Sequence, residues 1–240
     1  FVRNRSGATL TANGTAFVAY ANQLIQAWEA AQRDLPLPEG YRKLLHVGGE
    51  VSLSSPLLLQ WVRRLRERFP QHAIRAETGA PAQLLEQLED GRLDAALVHS
   101  PVYWAGLQVE PLLEERLVLV RSVKNPEPYL YIDWGEDFRR GHDAALPEHA
   151  RAGLSFNLGP LALQYLLEQG GTGYFRTRVV QAYLERGLLE RVPRAPEFSY
   201  PVYLVYVRER DTAELQQAFA LLREVSRQER DWSQRWDPLI

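Results

Sequence analysis

Residues 43–98 read KLLHVGGEVSLSSPLLLQWVRRLRERFPQHAIRAETGAPAQLLEQLEDGRLDAALV, and two alternating periodicities in this stretch decide the fold. Lys43 to Val47 is a short apolar run that predicts a strand. Ser55 to Phe69 places apolar residues at three- and four-residue steps and predicts a helix, with Pro56 in the first turn, where a missing N–H costs nothing. Ala73 to Glu77 predicts a second strand, Pro81 to Gly91 a shorter helix, and Leu93 to Val98 a third strand. Two successive strand-helix-strand units imply parallel strands joined by right-handed crossovers, hence a doubly wound α/β sheet.

Downstream the alternation continues. A strand at Arg116 to Arg121 runs into Asn125, Pro126 and Pro128, which mark a crossing between two lobes. Tyr129 to Trp134 and Gly153 to Asn157 predict strands of a second set, followed by a helix at Pro160 to Gln169. A short segment at Gly173 to Phe175 and a helix at Arg178 to Arg186 complete it. Tyr200 to Val207 alternates as a strand, and Asp211 with Glu214 three positions on resembles a capping box opening a last helix. Its apolar side is Leu215, Phe219, Leu222 and Val225.

Upstream, residues 1–10 suit a β-hairpin with Arg3 and Arg5 near its tip. From Thr11, a capping residue, Phe17, Tyr20, Leu24, Trp28 and Leu35 recur on one face of a helix of about 22 residues, roughly 33 Å long. Pro36 and Pro38 end it, and Gly40 loosens the join to the strand that begins at Lys43. The stripe either packs on its own domain or pairs with its copy in a second chain; proline on the C-terminal side favours pairing. The chain opens on Phe1 and contains no Met, so residues upstream of Phe1 are expected.

The 240 residues are 45% hydrophobic and 24% charged, a globular composition. With 28 basic and 30 acidic side chains, the net charge of -2 attracts neither nucleic acid nor anionic membrane over the whole surface. Any DNA contact must come from a local patch. No apolar run approaches the ~20 residues of a membrane span, so no membrane partner and a cytoplasmic location are expected. The absence of Cys removes disulfides, thiolate catalysis and Cys-based metal sites.

Residues 1–14, FVRNRSGATLTANG, resemble the end of the winged helix-turn-helix of LysR-type regulators through Phe1, Arg3, Gly7, Leu10, Thr11 and Gly14. The remainder is similar to the effector domain of that family over nearly all its length. The shared features are a strand ending in Gly48, a Ser-rich turn, the helix end at Phe69 and Pro70, and the run Leu88-Glu89-Asp90-Gly91-Arg92-Leu93-Asp94. Residues 129–135, YLYIDWG, are similar to the subgroup resembling the repressor of the flagellar master operon.

The resemblance implies two Rossmann-like lobes as in type 2 periplasmic binding proteins, preceded by a long linker helix. It divides the chain into residues 1–10 (end of the wing), 11–38 (linker and dimerisation helix) and 41–240 (effector-binding domain). Lobe I is expected over about 41–122 and 205–230, and lobe II over about 126–200. It further implies transcription regulation, operator DNA and a small-molecule effector as partners, no cofactor, and a homodimer or homotetramer paired through Phe17, Tyr20, Leu24 and Trp28. Arg3 and Arg5 would supply wing contacts to DNA, or merely be solvated.

Ligands of doubly wound domains sit at the carboxyl ends of the strands, beside helix N-termini. That rule selects the turn Gly48 to Ser55 after the first strand, with Ser52, Ser54 and Ser55 in it, Thr78 and Gly79 after the second, and His99 and Ser100 after the third. In the other lobe it selects Asn157, Gly159 and Tyr174. The serines would offer hydroxyls beside free N–H groups, a setting for an anion, unless they are only helix caps. Thr78 and Asn157 also suit ordinary turns, and His99 a satisfied structural histidine. Tyr103 and Trp104 suit either a pocket roof or a subunit contact, and Trp134 the core.

Catalysis finds no support. There is no nucleophile elbow, phosphate loop or His-Glu-x-x-His, and the five histidines show no ligand spacing, so no metal is expected. A transporter solute-binding protein shares the fold and is the remaining alternative, although it has no use for the helix beginning at Thr11.

Overall fold

A computed structural model describes residues 2–4, 7–34, 37 and 39–227. Strands β1 (Val2–Asn4) and β2 (Gly7–Thr9) pair antiparallel, with Arg3 opposite Ala8; Arg5 lies outside the described residues. Helix α1 (Ala12–Asp34) starts where the sequence places it, because the Gly14 N–H donates to Thr11 Oγ1 at 3.0 Å. Its end falls just before Leu35, Pro36 and Pro38, which lie outside the described residues. Phe17, Tyr20, Leu24 and Trp28 are 58–65% exposed, so their stripe is not covered by the chain's own body.

The first half is built on a five-stranded sheet in the order β4 (His72–Gly79), β3 (Lys43–Glu50), β5 (Ala95–Val98), β13 (Val202–Val207), β6 (Leu107–Leu113). β3 runs parallel to both β4 and β5, as the two strand-helix-strand units require. β13 joins from the far end of the chain, antiparallel to β5 and β6. Apolar side chains cover both faces. On one, α2 (Leu59–Arg68) and α7 (Ala213–Arg227) bury Trp61, Leu65, Phe219 and Leu222 against the strands. On the other, α3 (Pro81–Glu89) buries Leu84 and Leu88 against Leu93 and Val205. Trp61 Nε1 donates to the Ala218 carbonyl at 2.8 Å, so this fully buried ring loses no hydrogen bond on burial and ties α2 to α7.

The second half holds a sheet ordered β11 (Leu189–Arg191), β7 (Arg116–Ser122), β10 (Thr172–Arg176), β8 (Tyr129–Ile132), β9 (Leu154–Phe156), with β12 (Phe198–Ser199) also on β7. The parallel pairs are β10 with β8 and β8 with β9. Helices α4 (Glu136–Ala145), α5 (Gly159–Gln169) and α6 (Thr177–Glu185) contribute Phe138, Leu163, Leu166 and Val180 to its core.

Several expectations are corrected. The crossing between halves is not at Asn125 to Pro128, because β7 already pairs with β10 of the second sheet. The chain crosses at Glu114 and Glu115, between β6 and β7, and returns at Tyr200 and Pro201, between β12 and β13. The helix expected from Ser55 begins as a 3-10 turn at Val51–Leu53 and is interrupted at Ser55, whose backbone is extended, before α2 proper. The last helix is capped by Thr212, whose Oγ1 accepts the Leu215 N–H at 3.2 Å; Asp211 instead accepts from Gln216, and Glu214 pairs with Lys43. β6 and α4 were not expected. Pro111 within β6 is tolerated because β6 is an edge strand, where the missing N–H breaks no central ladder.

Candidate functional site

Parallel strands share a direction, so their carboxyl ends share an edge. In the first half that edge carries Glu50 at the end of β3, Gly79 at the end of β4, and His99 just past β5. In the second it carries Asp133 just past β8 and Asn157 just past β9. The two edges meet in a cleft. One cavity of about 390 Å³ lies between Glu50, His99 and Ser100 on one side and Asp133, Glu136 and Asn157 on the other. A second of about 310 Å³ shares Glu50, Trp134 and Asn157 and extends to Ser52, Gly79 and Gly159. These sizes suit small-molecule ligands. Tyr200, on the return crossing, lines both. A minor recess below them is bounded by Ser52, Ser55, Gly159 and Arg176.

The floor is tightly tied. The His99 N–H donates to Glu50 Oε1 at 2.6 Å, and His99 Nδ1 meets the Pro201 carbonyl at 3.0 Å. A carbonyl only accepts, so Nδ1 carries the proton and Nε2 is an acceptor, for which there is no partner among the described residues. Burial, reinforced by the Arg176 charge, holds the imidazole well below its ordinary pKa and therefore neutral. Its ring stacks on Tyr200 at 3.7 Å between centroids. Burial also raises the Glu50 carboxyl, against the opposing pull of the His99 N–H and Arg176. The Tyr200 hydroxyl is raised for the same reason, burial first and the Glu50 charge second.

On the other wall, Trp134 is 8% exposed, its Nε1 donating to the Tyr174 carbonyl at 2.9 Å and its ring edge-on to Tyr200. A Cβ on Gly159 would collide with this indole, so α5 approaches closely only because the residue is glycine. Asp133 accepts the Gly135 N–H at 3.1 Å and pairs with Arg139 at 3.2 Å, and Asp137 pairs with Arg140 at 2.5 Å. Gly135, at φ +99°, turns the chain into α4.

Of the residues singled out from sequence, Ser52, Ser55, Gly79, His99, Ser100, Asn157 and Gly159 line these cavities. Ser54, Thr78 and Tyr174 do not. Ser54 Oγ is spent on the Val51 carbonyl at 2.6 Å, and Thr78 is exposed along β4. Tyr174 is 1% exposed in the second core, its hydroxyl donating to the Pro196 carbonyl at 3.0 Å and raised to about 12 by burial. Tyr103 is 72% exposed and Trp104 packs under the first sheet; neither roofs the cleft. Sequence reasoning selected the turn that holds Glu50 without singling that residue out, missed Asp133, Glu136, Asp137 and Tyr200, and assigned Trp134 to the core. The strand-end rule applied to Tyr129–Trp134 would have found the Asp-Trp-Gly-Glu-Asp run, residues 133–137.

Among the described residues no group of three or more His, Asp or Glu is arranged to hold a metal, and no helix is long and apolar enough to cross a membrane.

The sequence model of the LysR substrate binding domain matches residues 38–227. Curated relatives include the HTH-type transcriptional regulator HdfR of Salmonella schwarzengrund (strain CVM19633), 24% identical over 218 residues, covering 88% of this chain and 77% of the relative. HdfR of Yersinia pestis (strain Pestoides F) is 24% identical over 227 residues, covering 88% and 76%. Among solved structures, the regulatory domain of HypT from Salmonella typhimurium superposes with a TM-score of 0.64 at 16% identity, over 80% of this chain and 98% of that one. CrgA of Neisseria meningitidis, a LysR-type transcriptional regulator, superposes at 0.60 and 16%, over 92% and 83%. These structures share the fold of LysR regulatory domains. The relatives are transcriptional regulators, not solute-binding proteins of transporters, and the chain belongs to the LysR family as the effector-binding domain of a LysR-type transcriptional regulator.

Proposed function

We propose that this chain senses a small-molecule effector in the cleft between its two halves and passes the signal to operator DNA through paired α1 helices. The observation that carries the reading is the composition of the cleft: the carboxyl ends of strands from both sheets line one cavity, and the return crossing of the chain lines it through Tyr200. A ligand bridging the walls stabilises one relative placement of the halves, and differential affinity for two placements is what a sensor requires. In this reading residues 11–38 form the linker and dimerisation helix and 41–240 the effector domain. Seven residues are its first contacts, Ser52, Ser55, Gly79, His99, Ser100, Asn157 and Gly159. The assembly is a homodimer or homotetramer working in the cytoplasm, with Arg3 and Arg5 beside the DNA and no catalytic step.

The test is a metabolite screen by thermal shift, because a ligand that binds the native fold raises its stability by mass action. A genuine effector raises the Tm of the chain, and Ser52→Trp, which fills the cleft, removes that rise. An effector whose shift survives Ser52→Trp places the site elsewhere.

A further inference from the structure

We propose that the cleft takes a compact ligand carrying a positive charge, a protonated amine or guanidinium group; this rests on the cleft being the effector site. The charged side chains lining the two larger cavities are Glu50, Asp133, Glu136 and Asp137, all acidic, and neither Lys nor Arg lines either one. Arg139 and Arg140 offset Asp133 and Asp137 from outside. Glu50 and Glu136 have no ion-pair partner among the described residues, and Arg176, whose charge reaches Glu50, is itself paired with Glu115, so a net negative field is left facing the cavity.

Features that favour an anion are muted. Helices α3, α4 and α5 all begin at this edge, and their N-termini each carry about half a positive charge. In α4 the first turn contains Glu136 and Asp137, which cancel that charge. In α3 and α5, Pro81 and Pro160 occupy the opening positions and each remove one of the free first-turn N–H donors. Of the serine hydroxyls, that of Ser54 is already committed to the Val51 carbonyl, and that of Ser52, buried with no partner among the described residues, can accept from a donor as well as donate.

An independent observation calls for a donor. His99 is only 5% exposed, lines the larger cavity, and holds Nε2 as an unprotonated acceptor with no partner among the described residues. A buried acceptor left unpaired is costly, and an ammonium or guanidinium N–H supplies what it lacks while a carboxylate does not.

The experiment measures Tm and calorimetric affinity for putrescine and agmatine against succinate and 1,4-butanediol, at one ionic strength. Expected are saturable stabilisation by at least one amine, none by succinate, and affinity at least tenfold weaker in Glu136→Gln. That substitution sits on an exposed turn and does not threaten folding; Glu50→Gln, which keeps an acceptor for the His99 N–H, weakens binding likewise. No amine effect overturns the charge assignment, as does an amine effect that both Gln variants leave intact. Stabilisation by succinate that Ser52→Trp abolishes also overturns the charge assignment while leaving the cleft as the effector site. Amine stabilisation that Ser52→Trp leaves intact overturns the cleft itself.

Discussion

Arg176 and Glu115 form a buried ion pair at the outgoing crossing between the halves: Arg176 Nε and Nη2 donate to Glu115 Oε2 at 2.9 and 2.7 Å. Arg176 Nη1 also donates to the Ser52 carbonyl at 2.5 Å, so one guanidinium at the end of β10 fastens the second sheet to the first turn of the cleft. The side chains are 3% and 0% exposed.

Because both charges are out of water, removing one partner strands the other. Glu115→Gln or Arg176→Met is expected to cost about 3–5 kcal/mol in urea denaturation, and the paired replacement by apolar residues to recover most of it. Single variants within about 1 kcal/mol of the parent would mean that water already reaches the pair.

His99 gives the stability a defined pH slope. Its pKa in the folded state is held far below the unfolded value near 6.5 by burial and the Arg176 charge, so below that value the unfolded chain binds more protons. Stability is therefore full above about pH 6.5 and falls as acid is added, until the folded imidazole itself titrates. Glu50 acts oppositely, since a raised carboxyl pKa stabilises the fold at low pH and loses that contribution as pH rises. The expected outcome is a Tm that declines from pH 7 to 5.5, with a shallower decline in His99→Gln. An unchanged slope in that variant would assign the acid sensitivity to another group.

Gly159 and Trp134 share one space. A Cβ at residue 159 would enter the indole ring, whose Nε1 is pinned to the Tyr174 carbonyl. Gly159→Ala is expected to cost about 1–3 kcal/mol by overpacking and to displace the Trp134 wall of the cleft. Effector affinity and intrinsic tryptophan fluorescence should therefore change together. A stable variant with unaltered fluorescence would show that α5 can shift without disturbing the cleft.

How far these features are legible in the sequence depends on whether the cause is local. The parallel core was readable because Lys43 to Val98 alternates two periodicities, and the cap at Thr11 because a hydroxyl three residues before an N–H is a local signal. The run at residues 88–94 was recognisable, yet its reasons are distant: the Asp94 carboxylate accepts the His46 N–H at 2.8 Å, and Arg210 Nη1 binds the Leu88 carbonyl at 2.9 Å. The acidic run at Asp133 to Asp137 was within reach of the strand-end rule, but its opposition to Glu50 was not, because the two meet only once the sheets face each other. The crossing at Glu115 was likewise invisible, since it depends on β7 pairing with β10 about 55 residues later in the chain.

The uncovered stripe on α1 makes the last prediction. Phe17, Tyr20, Leu24 and Trp28 are 58%, 64%, 64% and 65% exposed, and they lie at three- and four-residue steps on one face. Burying each such side chain against a copy of itself gains about 1.5–3 kcal/mol, and a symmetric pair repeats every contact twice. A carboxylate at the centre of that seam would have to be desolvated opposite its own copy. Leu24→Glu and Trp28→Glu are therefore expected to lower the mass seen by light scattering by a factor of two or more at micromolar concentration. The Tm of the monomeric body should change little, because neither side chain belongs to its buried clusters. An unchanged mass in both variants would move the interface off this helix.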